Sequence, residues 1–370
     1  MRYLSLDSDT PTYLGKGTFG LVVRGRFHDQ PVAIKKVKCK HLEDIIQELS
    51  SLVHFKNVPY CVQLLDAFMT KRDSLYRIYM VFELATTTLE QAITTATIHE
   101  SLQYSRQLVR AIAYIHQCGI VHRDLKPANL FIRNEELIVG DFGHSTHLND
   151  SLPSVSSSEH QQQHPHKKPK QANHEPVSLS NGNYICTLWY RAPELLLSGH
   201  HTKAIDMWSV GCLVVEFILK KPLFPAKDEK DLLVRMVDMI GKPTIDDTQA
   251  YTKSHMDQLR WTVVSTATSL LILMKIKKQL VHKVQEILSD DEITSLLDSV
   301  SSMLQWCMDE RITAQQAALL TFFSGINNDN KDDTKPEPKQ YRPMKPGIED
   351  ACRKIQPDES LLNLFLEKKI

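Results

Sequence analysis

Side chains able to move a proton and a phosphoryl group are concentrated in one short segment, HRDLKPAN at residues 122–129. Asp124 can accept or orient the proton of an attacking hydroxyl group. Lys126 can neutralise the charge of a transferring phosphoryl group, and Asn129 can hold a magnesium ion. Asp141 begins the sequence DFG, and its carboxylate can bind a metal that bridges phosphates. This order and spacing favours phosphoryl transfer to a hydroxyl group.

A glycine-rich segment near the N-terminus fits the same chemistry. Its pattern, G-x-G-x-x-G-x-V, also occurs in dinucleotide-binding proteins, where a helix begins at the glycines. Here the following residues, LVVRGRF, continue as a strand. We therefore expect a β-hairpin in which glycine lets backbone amides approach phosphate oxygens. The predicted nucleotide-binding residues of this segment are Gly15, Lys16, Gly17, Thr18, Phe19, Gly20 and Val22.

The next strand, which contains VAIK, carries the cation expected to reach those phosphates. Strand alternation after inward-facing Ala33 places Lys35 inward and Lys36 outward, as a solvated neighbour. An amphipathic helix is predicted over residues 42–53. Glu48 on this helix is the carboxylate expected to pair with Lys35 and hold it in place.

The positions of these motifs predict two modules with a cleft between them. Residues 13–83 contain short β-branched runs typical of strands, and a short connector follows at residues 82–85. Beyond it the apolar periodicity indicates helices, including those at residues 102–117, 205–220, 230–240 and 312–322. A β-hairpin is expected from residues 130–132 and 137–139, delivering Asp141. With 370 residues, 42% of them apolar, the chain can bury a substantial core.

Composition narrows the partners and the compartment. Lys plus Arg equals Asp plus Glu at 44 each, so no global field attracts nucleic acid or an anionic membrane. The seven scattered cysteines contain no C-x-x-C pair, which favours a reducing compartment without a zinc site. No secretory signal or membrane span is evident. We expect a soluble monomer without nucleic-acid or membrane partners, in the cytoplasm and/or the nucleus.

Two stretches break the globular pattern, and a short N-terminal extension precedes the first module. Residues 1–12 form an N-terminal extension, and residues 149–181 are rich in Ser, Gln, His, Lys and Pro, which predicts a disordered insertion. Residues 324–370 form a polar tail. The tail ends in ESLLNLFLEKKI, a candidate amphipathic helix expected to pack on its own domain.

Together these motifs resemble the eukaryotic protein kinase family over residues 13–323. The resemblance implies an α+β fold with a β-rich N-lobe, residues 13–83, and a helical C-lobe, residues 84–323. It implies binding of ATP and Mg²⁺ and phosphorylation of protein substrates, with Lys126 pointing to serine or threonine as acceptor. It also implies that Phe82 is the gatekeeper and that the backbone of Glu83 and Leu84 binds adenine.

The sequences TLWYRAPELL, DMWSVGC and KPLFP are similar to those of cyclin-dependent kinases. This closer resemblance implies three scaffold roles. Thr187 would bridge Asp124 and Lys126, Glu194 would pair with Arg311, and Asp206 would cap the backbone of the catalytic loop.

The chain departs from that group where an activating phosphate would bind. Gly182 occupies the position of the phosphorylated threonine, and Gln47, Arg123 and Thr146 occupy the positions of three phosphate-binding arginines. The acceptor and two of its three basic partners are therefore missing together. Clustered arginines repel each other unless an anion is present, so this joint loss predicts activity without this phosphorylation.

Two partner predictions follow from the same departures. The short link of 13 residues between Lys35 and Glu48 lacks a PSTAIRE-like segment, so a cyclin partner is not expected. The single-subunit fungal kinases that activate cyclin-dependent kinases share these features, which makes cyclin-dependent kinases the expected substrates. One alternative is a cyclin-regulated enzyme phosphorylated within residues 149–181. Another is a non-catalytic scaffold, against which the complete set of catalytic residues argues.

Overall fold

An antiparallel sheet forms the N-lobe in the computed structural model, which describes residues 4–6, 12–17, 20–41, 43–56, 58–72, 74–147, 188–197, 202–243 and 266–324. The sheet has the order β1-β3-β4-β6-β5, and β2 also pairs with β3. Its strands are β1 Leu4–Leu6, β2 Tyr13–Gly17, β3 Gly20–Phe27, β4 Gln30–Cys39, β5 Leu64–Arg72 and β6 Leu75–Glu83. The β2–β3 hairpin predicted from the glycine pattern is present.

One helix, α1 (Glu43–His54), packs on one face of this sheet. Its Ile45, Leu49 and Leu52 belong to the same buried cluster as Ile78 and Met80 of the sheet. These three positions follow a helical repeat, so burying them fixes the rotation of α1. That rotation determines where Glu48 points.

The C-lobe is mostly helical. Its helices are α2 Leu89–Ala92, α3 Ile98–Gln117, α4 Pro193–Leu197, α5 Ala204–Leu219, α6 Glu229–Ile240, α7 Thr266–Val284, α8 Asp290–Met303, α9 Ala314–Ala318 and α10 Thr321–Ser324. Helix α5 is buried along nearly its whole length. It therefore lies within the core of the C-lobe.

Within the described part of the chain, five short strands accompany the catalytic segments, one before α2 and four between α3 and α4. They are β7 Thr87–Thr88, β8 Ile120–Val121, β9 Leu130–Arg133, β10 Glu136–Val139 and β11 Thr146–His147. The predicted hairpin is β9–β10, and Asn134 and Glu135 between its strands both have positive φ. Two central residues of positive φ are typical of a tight type I′ hairpin turn.

Several helix boundaries differ from the sequence-based expectation. Helix α3 begins at Ile98 rather than residue 102, because Thr97 and Glu100 form a reciprocal capping box. The helix predicted over residues 312–322 is instead two short helices, α9 and α10. Strand β5 and helices α7 and α8 were not predicted.

Other expectations concern membranes, disulfides and undescribed residues. None of the described helices has the length and apolarity needed to cross a membrane. Among the described residues, Cys61, Cys118, Cys212 and Cys307 are free thiols. The predicted insertion at 149–181, the tail beyond residue 324, and Thr18, Phe19, Gly182 and Thr187 lie outside the described residues.

A buried ion pair joins α4 to the loop before α9. Arg311 donates to the Glu194 carboxylate through Nη1 at 2.6 Å and Nη2 at 2.9 Å, and both side chains are fully buried. Arg311 also donates to the carbonyls of Ala204 and Gln305. This pair was expected from the family resemblance, and it anchors α4 below the catalytic segments.

Replacing Arg311 with Met should destabilise the protein strongly. The substitution leaves Glu194 as a buried charge without its cation, so the free energy of unfolding should fall by about 3–5 kcal/mol. The matched control is the double variant Arg311→Met/Glu194→Leu, which should lose less. Urea unfolding measures both, and a loss below about 1 kcal/mol in the single variant would contradict the assignment.

Candidate active site

Three charged side chains from different elements meet in the cleft between the lobes. Lys35 Nζ on β4 lies 2.7 Å from Glu48 Oε1 on α1 and 2.7 Å from Asp141 Oδ1, which follows β10. Lys35 and Glu48 are buried. Burial opposes the charge on Lys35, but the two carboxylates outweigh it and hold the pKa of Lys35 above its usual value. The ammonium therefore stays charged at neutral pH.

The predicted nucleotide-binding residues of the N-lobe line up across adjacent strands. Val22 is the cross-strand partner of Lys35, and Ala33 is the partner of Phe82. Gly17 pairs with Gly20 at the end of the β2–β3 hairpin. A Cβ added to Gly20 would lie 1.9 Å from the carbonyl oxygen of Lys36, so only glycine fits there. The strand register thus brings the predicted phosphate loop, the cation and the gatekeeper position onto one surface.

The connector between the lobes runs from the end of β6 into the C-lobe. Glu83 and Leu84 are half-buried there, and the Glu83 side chain pairs with Arg133 of β9. The structure places both residues in this connector, and the use of their backbone by adenine stays a prediction.

The catalytic loop gathers the three polar residues expected from HRDLKPAN. Lys126 Nζ lies 2.8 Å from Asp124 Oδ2, and Asn129 Nδ2 donates to the same oxygen at 2.9 Å. Asn129 Nδ2 also donates to the Asp124 carbonyl at 2.8 Å. These contacts fix the carboxylate of Asp124 in one orientation. Because Nδ2 of the Asn129 side chain is engaged in these two hydrogen bonds, its Oδ1 is the side-chain atom suited to bind a metal ion.

The backbone of this loop is held by Asp206 at the N-terminus of α5. Its carboxylate accepts from the amides of His122 and Arg123, both at 2.8 Å, and its Oδ2 lies 2.9 Å from Nε2 of His116. Arg123 has a φ of 71°, a left-handed conformation that costs free energy in a non-glycine residue. The two amide contacts stabilise it. These contacts confirm the expectation that Asp206 caps the backbone of the catalytic loop.

His122 connects the catalytic loop to the segment that carries Asp141. Its Nδ1 accepts from the Asp124 amide at 3.3 Å, so its Nε2 carries the proton and donates to the Gly140 carbonyl at 2.9 Å. Asp141 itself has a φ of 55°. His122, which has no predicted part in the reaction, therefore sets the position of Asp124 relative to Asp141. His122 is part of the HRDLKPAN motif, but the sequence alone predicted no role for it.

The oxygen ligands available here suit a hard divalent cation. Asp141 offers a carboxylate and Asn129 an amide carbonyl, and such oxygen donors are what magnesium prefers. Burial opposes ionisation of Asp141, but Lys35 holds the pKa of this carboxyl below its usual value. Asp141 is therefore ionised at neutral pH, as a metal ligand must be.

The expectation that Lys36 is a solvated side chain is wrong. Its side chain does lie on the sheet face opposite Lys35, but it is only 4% exposed. Burial, with the nearby charges of Lys38 and Arg77, lowers the pKa of Lys36 to about 7. Strand alternation gives the direction of a side chain and does not show what covers that face.

A polar link between α1 and the segment after Asp141 was not predicted. Ser51 Oγ on α1 lies 3.0 Å from Ser145 Oγ and 3.3 Å from His147 Nε2. Ser145 Oγ in turn donates to the Phe142 carbonyl at 2.8 Å. Burial lowers the pKa of His147 to about 4, so its ring is neutral at neutral pH. No sequence motif marks these residues, because they meet only after both lobes have formed.

A small cavity of about 110 Å³ lies beside Lys126, between α2 and α5. Glu90, Trp189, Tyr190 and Glu216 contribute to its wall. Tyr190 donates its hydroxyl to Glu216 Oε2 at 2.8 Å, and burial raises the pKa of Glu216 to about 7. This contact fixes residues next to the catalytic loop against the central helix.

This fold and constellation define a phosphotransferase of the protein kinase class, and comparison with known proteins agrees. The family model for the protein kinase domain matches residues 9–323. The chain belongs to the protein kinase family and is a protein serine/threonine kinase. ATP and a divalent metal are the ligands that this family uses.

The relatives come from several kinase groups. The chain is 33% identical over 245 residues to a probable serine/threonine-protein kinase glkA of Dictyostelium discoideum, which covers 64% of this chain and 45% of the relative. It is 28% identical over 349 residues to extracellular signal-regulated kinase 2 of the same organism, covering 91% and 84%. It is 29% identical over 332 residues to protein kinase gsk3 of Schizosaccharomyces pombe, covering 86% and 74%.

Replacing Asp124 with Asn should lower turnover by about 10² to 10⁴-fold if its carboxylate takes the substrate proton. The amide keeps the size of the side chain, so the Michaelis constant for ATP should change little. Steady-state kinetics with a peptide substrate measures both. The matched control is Asp298→Asn, an exposed carboxylate on α8, which should leave turnover unchanged. Equal turnover of the Asp124→Asn and wild-type enzymes would refute the role.

Proposed function

We propose that this serine/threonine kinase uses Mg²⁺-ATP and works without phosphorylation of its activation segment. The observation that carries the proposal is the contact of Lys35 with both Glu48 and Asp141, together with the hydrogen-bonded link from Ser51 of α1 to the segment after Asp141. In protein kinases the corresponding ion pair and metal-binding aspartate must both be in place for activity.

The residues divide the work of phosphoryl transfer. Lys35 binds the phosphates of ATP, and Glu48 holds its ammonium in place. Asp124 orients the acceptor hydroxyl and takes its proton, while Lys126 stabilises the negative charge on the moving group. Asn129 and Asp141 are the residues that would hold the divalent cation, which neutralises phosphate charge when bound.

The polar link from α1 supports activity without a phosphate. Gln47 and Thr146 stand where two phosphate-binding arginines are found in cyclin-dependent kinases, so a phosphate would have few cations to receive it. In this chain Ser51 instead joins α1 to Ser145 and His147 by hydrogen bonds. Neutral hydrogen bonds between buried groups hold the two segments together at neutral pH without adding charge.

Phosphatase treatment tests this regulation. The purified enzyme should keep its activity within about two-fold after treatment, with mass spectrometry confirming that no phosphate remains. A cyclin-dependent kinase that requires activation-segment phosphorylation serves as the control and should lose activity. A loss of ten-fold or more in this chain would overturn the proposal.

The proposed substrates are the activation segments of cyclin-dependent kinases. This assignment is supported by the sequence features shared with the single-subunit fungal kinases: the missing threonine, the missing arginines and the short link to α1. None of the three relatives reported above bears that name, so the assignment depends on those features alone.

An assay with purified proteins tests the substrate. Incubation with ATP, Mg²⁺ and an unphosphorylated cyclin-dependent kinase should add one phosphate at the activation-segment threonine, detected by mass spectrometry. The matched control substrate carries alanine at that threonine and should remain unmodified. If this chain phosphorylates a generic peptide but not the cyclin-dependent kinase, the substrate assignment is wrong and the kinase activity stands.

A further inference from the structure

The N-lobe sheet buries a second apolar cluster on the face opposite α1, here called the outer face. The strand register places Val23, Ile34 and Val81 side by side, and it pairs Phe68 with Tyr79. Each of these five residues is at most 1% exposed. All members of the cluster, including the half-buried ones, lie on strands of the sheet.

A single sheet needs a second layer to bury both of its faces. Helix α1 supplies that layer on the inner face, where its apolar residues belong to the main core. No helix among the described residues contributes to the outer cluster. The near-zero exposure of these five side chains therefore indicates that a further segment packs on this face.

We propose that residues 359–370, ESLLNLFLEKKI, cover the outer face as an amphipathic helix. Leu361, Leu364 and Phe365 are spaced as neighbours on one side of a helix. These three large apolar side chains would pack on the apolar side chains of the outer face. The proposal is independent of substrate and activity, since the outer face lies across the sheet from Lys35.

The chain is long enough to reach this face. Described residues end at Ser324, the last residue of α10 in the C-lobe, and residues 325–358 precede the proposed helix. An extended chain spans about 3.3 Å per residue, so these 34 residues could span roughly 110 Å. A kinase domain of this size is about 50 Å across. Loop closure therefore does not prevent docking.

Charges on the outer face are separated along the strands. Lys36, Lys38 and Arg77 share the end where β4 leaves the sheet, since Lys36 pairs with Tyr79 and Lys38 with Arg77. Asp66 pairs with Val81 at the level of Ile34, four residues away along β4. Four residues of strand correspond to about 13 Å. The outer face is therefore basic at one end and acidic at the other.

The proposed helix has charges in a matching order. Asp358 and Glu359 precede its apolar residues, whereas Glu367, Lys368 and Lys369 follow them with one net positive charge. From residue 359 to residue 368 a helix rises about 14 Å. This length matches the separation of charge on the outer face, so the acidic start of the helix lies at Lys38 and its basic end at Asp66.

Photo-crosslinking in the full-length chain tests the location. The variant Phe365→p-benzoylphenylalanine should form intramolecular crosslinks that mass spectrometry maps to residues 21–27, 32–38, 64–70 or 77–83. The same photoreactive residue in place of Leu319, which is 80% exposed in the C-lobe, should give none at these sites. Crosslinks confined to the C-lobe, crosslinks only between two copies, or no crosslink at all would each overturn the proposal.

A charge exchange tests the orientation. Lys38→Glu should lower the crosslinking yield about three-fold, because it puts two negative charges together, and Lys38→Glu/Asp358→Lys should restore it. Lys38 is exposed, so its substitution should not unfold the protein. The matched control is Lys56→Glu, an exposed lysine after α1, which should leave the yield unchanged. If Lys38→Glu behaves like this control, the proposed orientation is wrong.

Discussion

The contact of Lys35 with Glu48 and Asp141 is the constraint on which the rest of the site depends. One ammonium joins a strand, a helix and the segment after β10, so all three must hold their positions at once. Glu48 is buried, and a buried carboxylate separated from its cation costs several kcal/mol. Movement of α1 away from the sheet is therefore opposed, and the Ser51 link about one turn further along α1 opposes it further.

The C-lobe provides a matching constraint below the cleft. Asp206 on the buried helix α5 holds the amides of His122 and Arg123, and His122 then holds Gly140 next to Asp141. The catalytic loop and the metal-binding segment are thus fixed to the same core helix. The Lys35 contact connects that assembly to the N-lobe. Catalytic geometry in this chain is therefore a property of how the two lobes pack.

Sequence reasoning predicted the parts of the site that short motifs encode. The pairs Lys35–Glu48 and Glu194–Arg311 and the position of Asp206 follow from motif order, since their spacing is tied to the fold. The burial of Lys36 and the Ser51–Ser145–His147 link could not be predicted, because both depend on segments distant in sequence. The two-helix ending, α9 and α10, was also missed, since apolar periodicity does not show a break of two residues.

A double-mutant cycle on the unphosphorylated, nucleotide-free protein tests the central contact most directly. Urea unfolding of the wild type, Lys35→Met, Glu48→Gln and the double variant gives the coupling free energy between the two side chains. A preformed ion pair predicts a favourable coupling of about 1–3 kcal/mol, with the double variant less destabilised than the sum of the single variants. A coupling of zero would show that the pair is absent without phosphate, which would contradict the account.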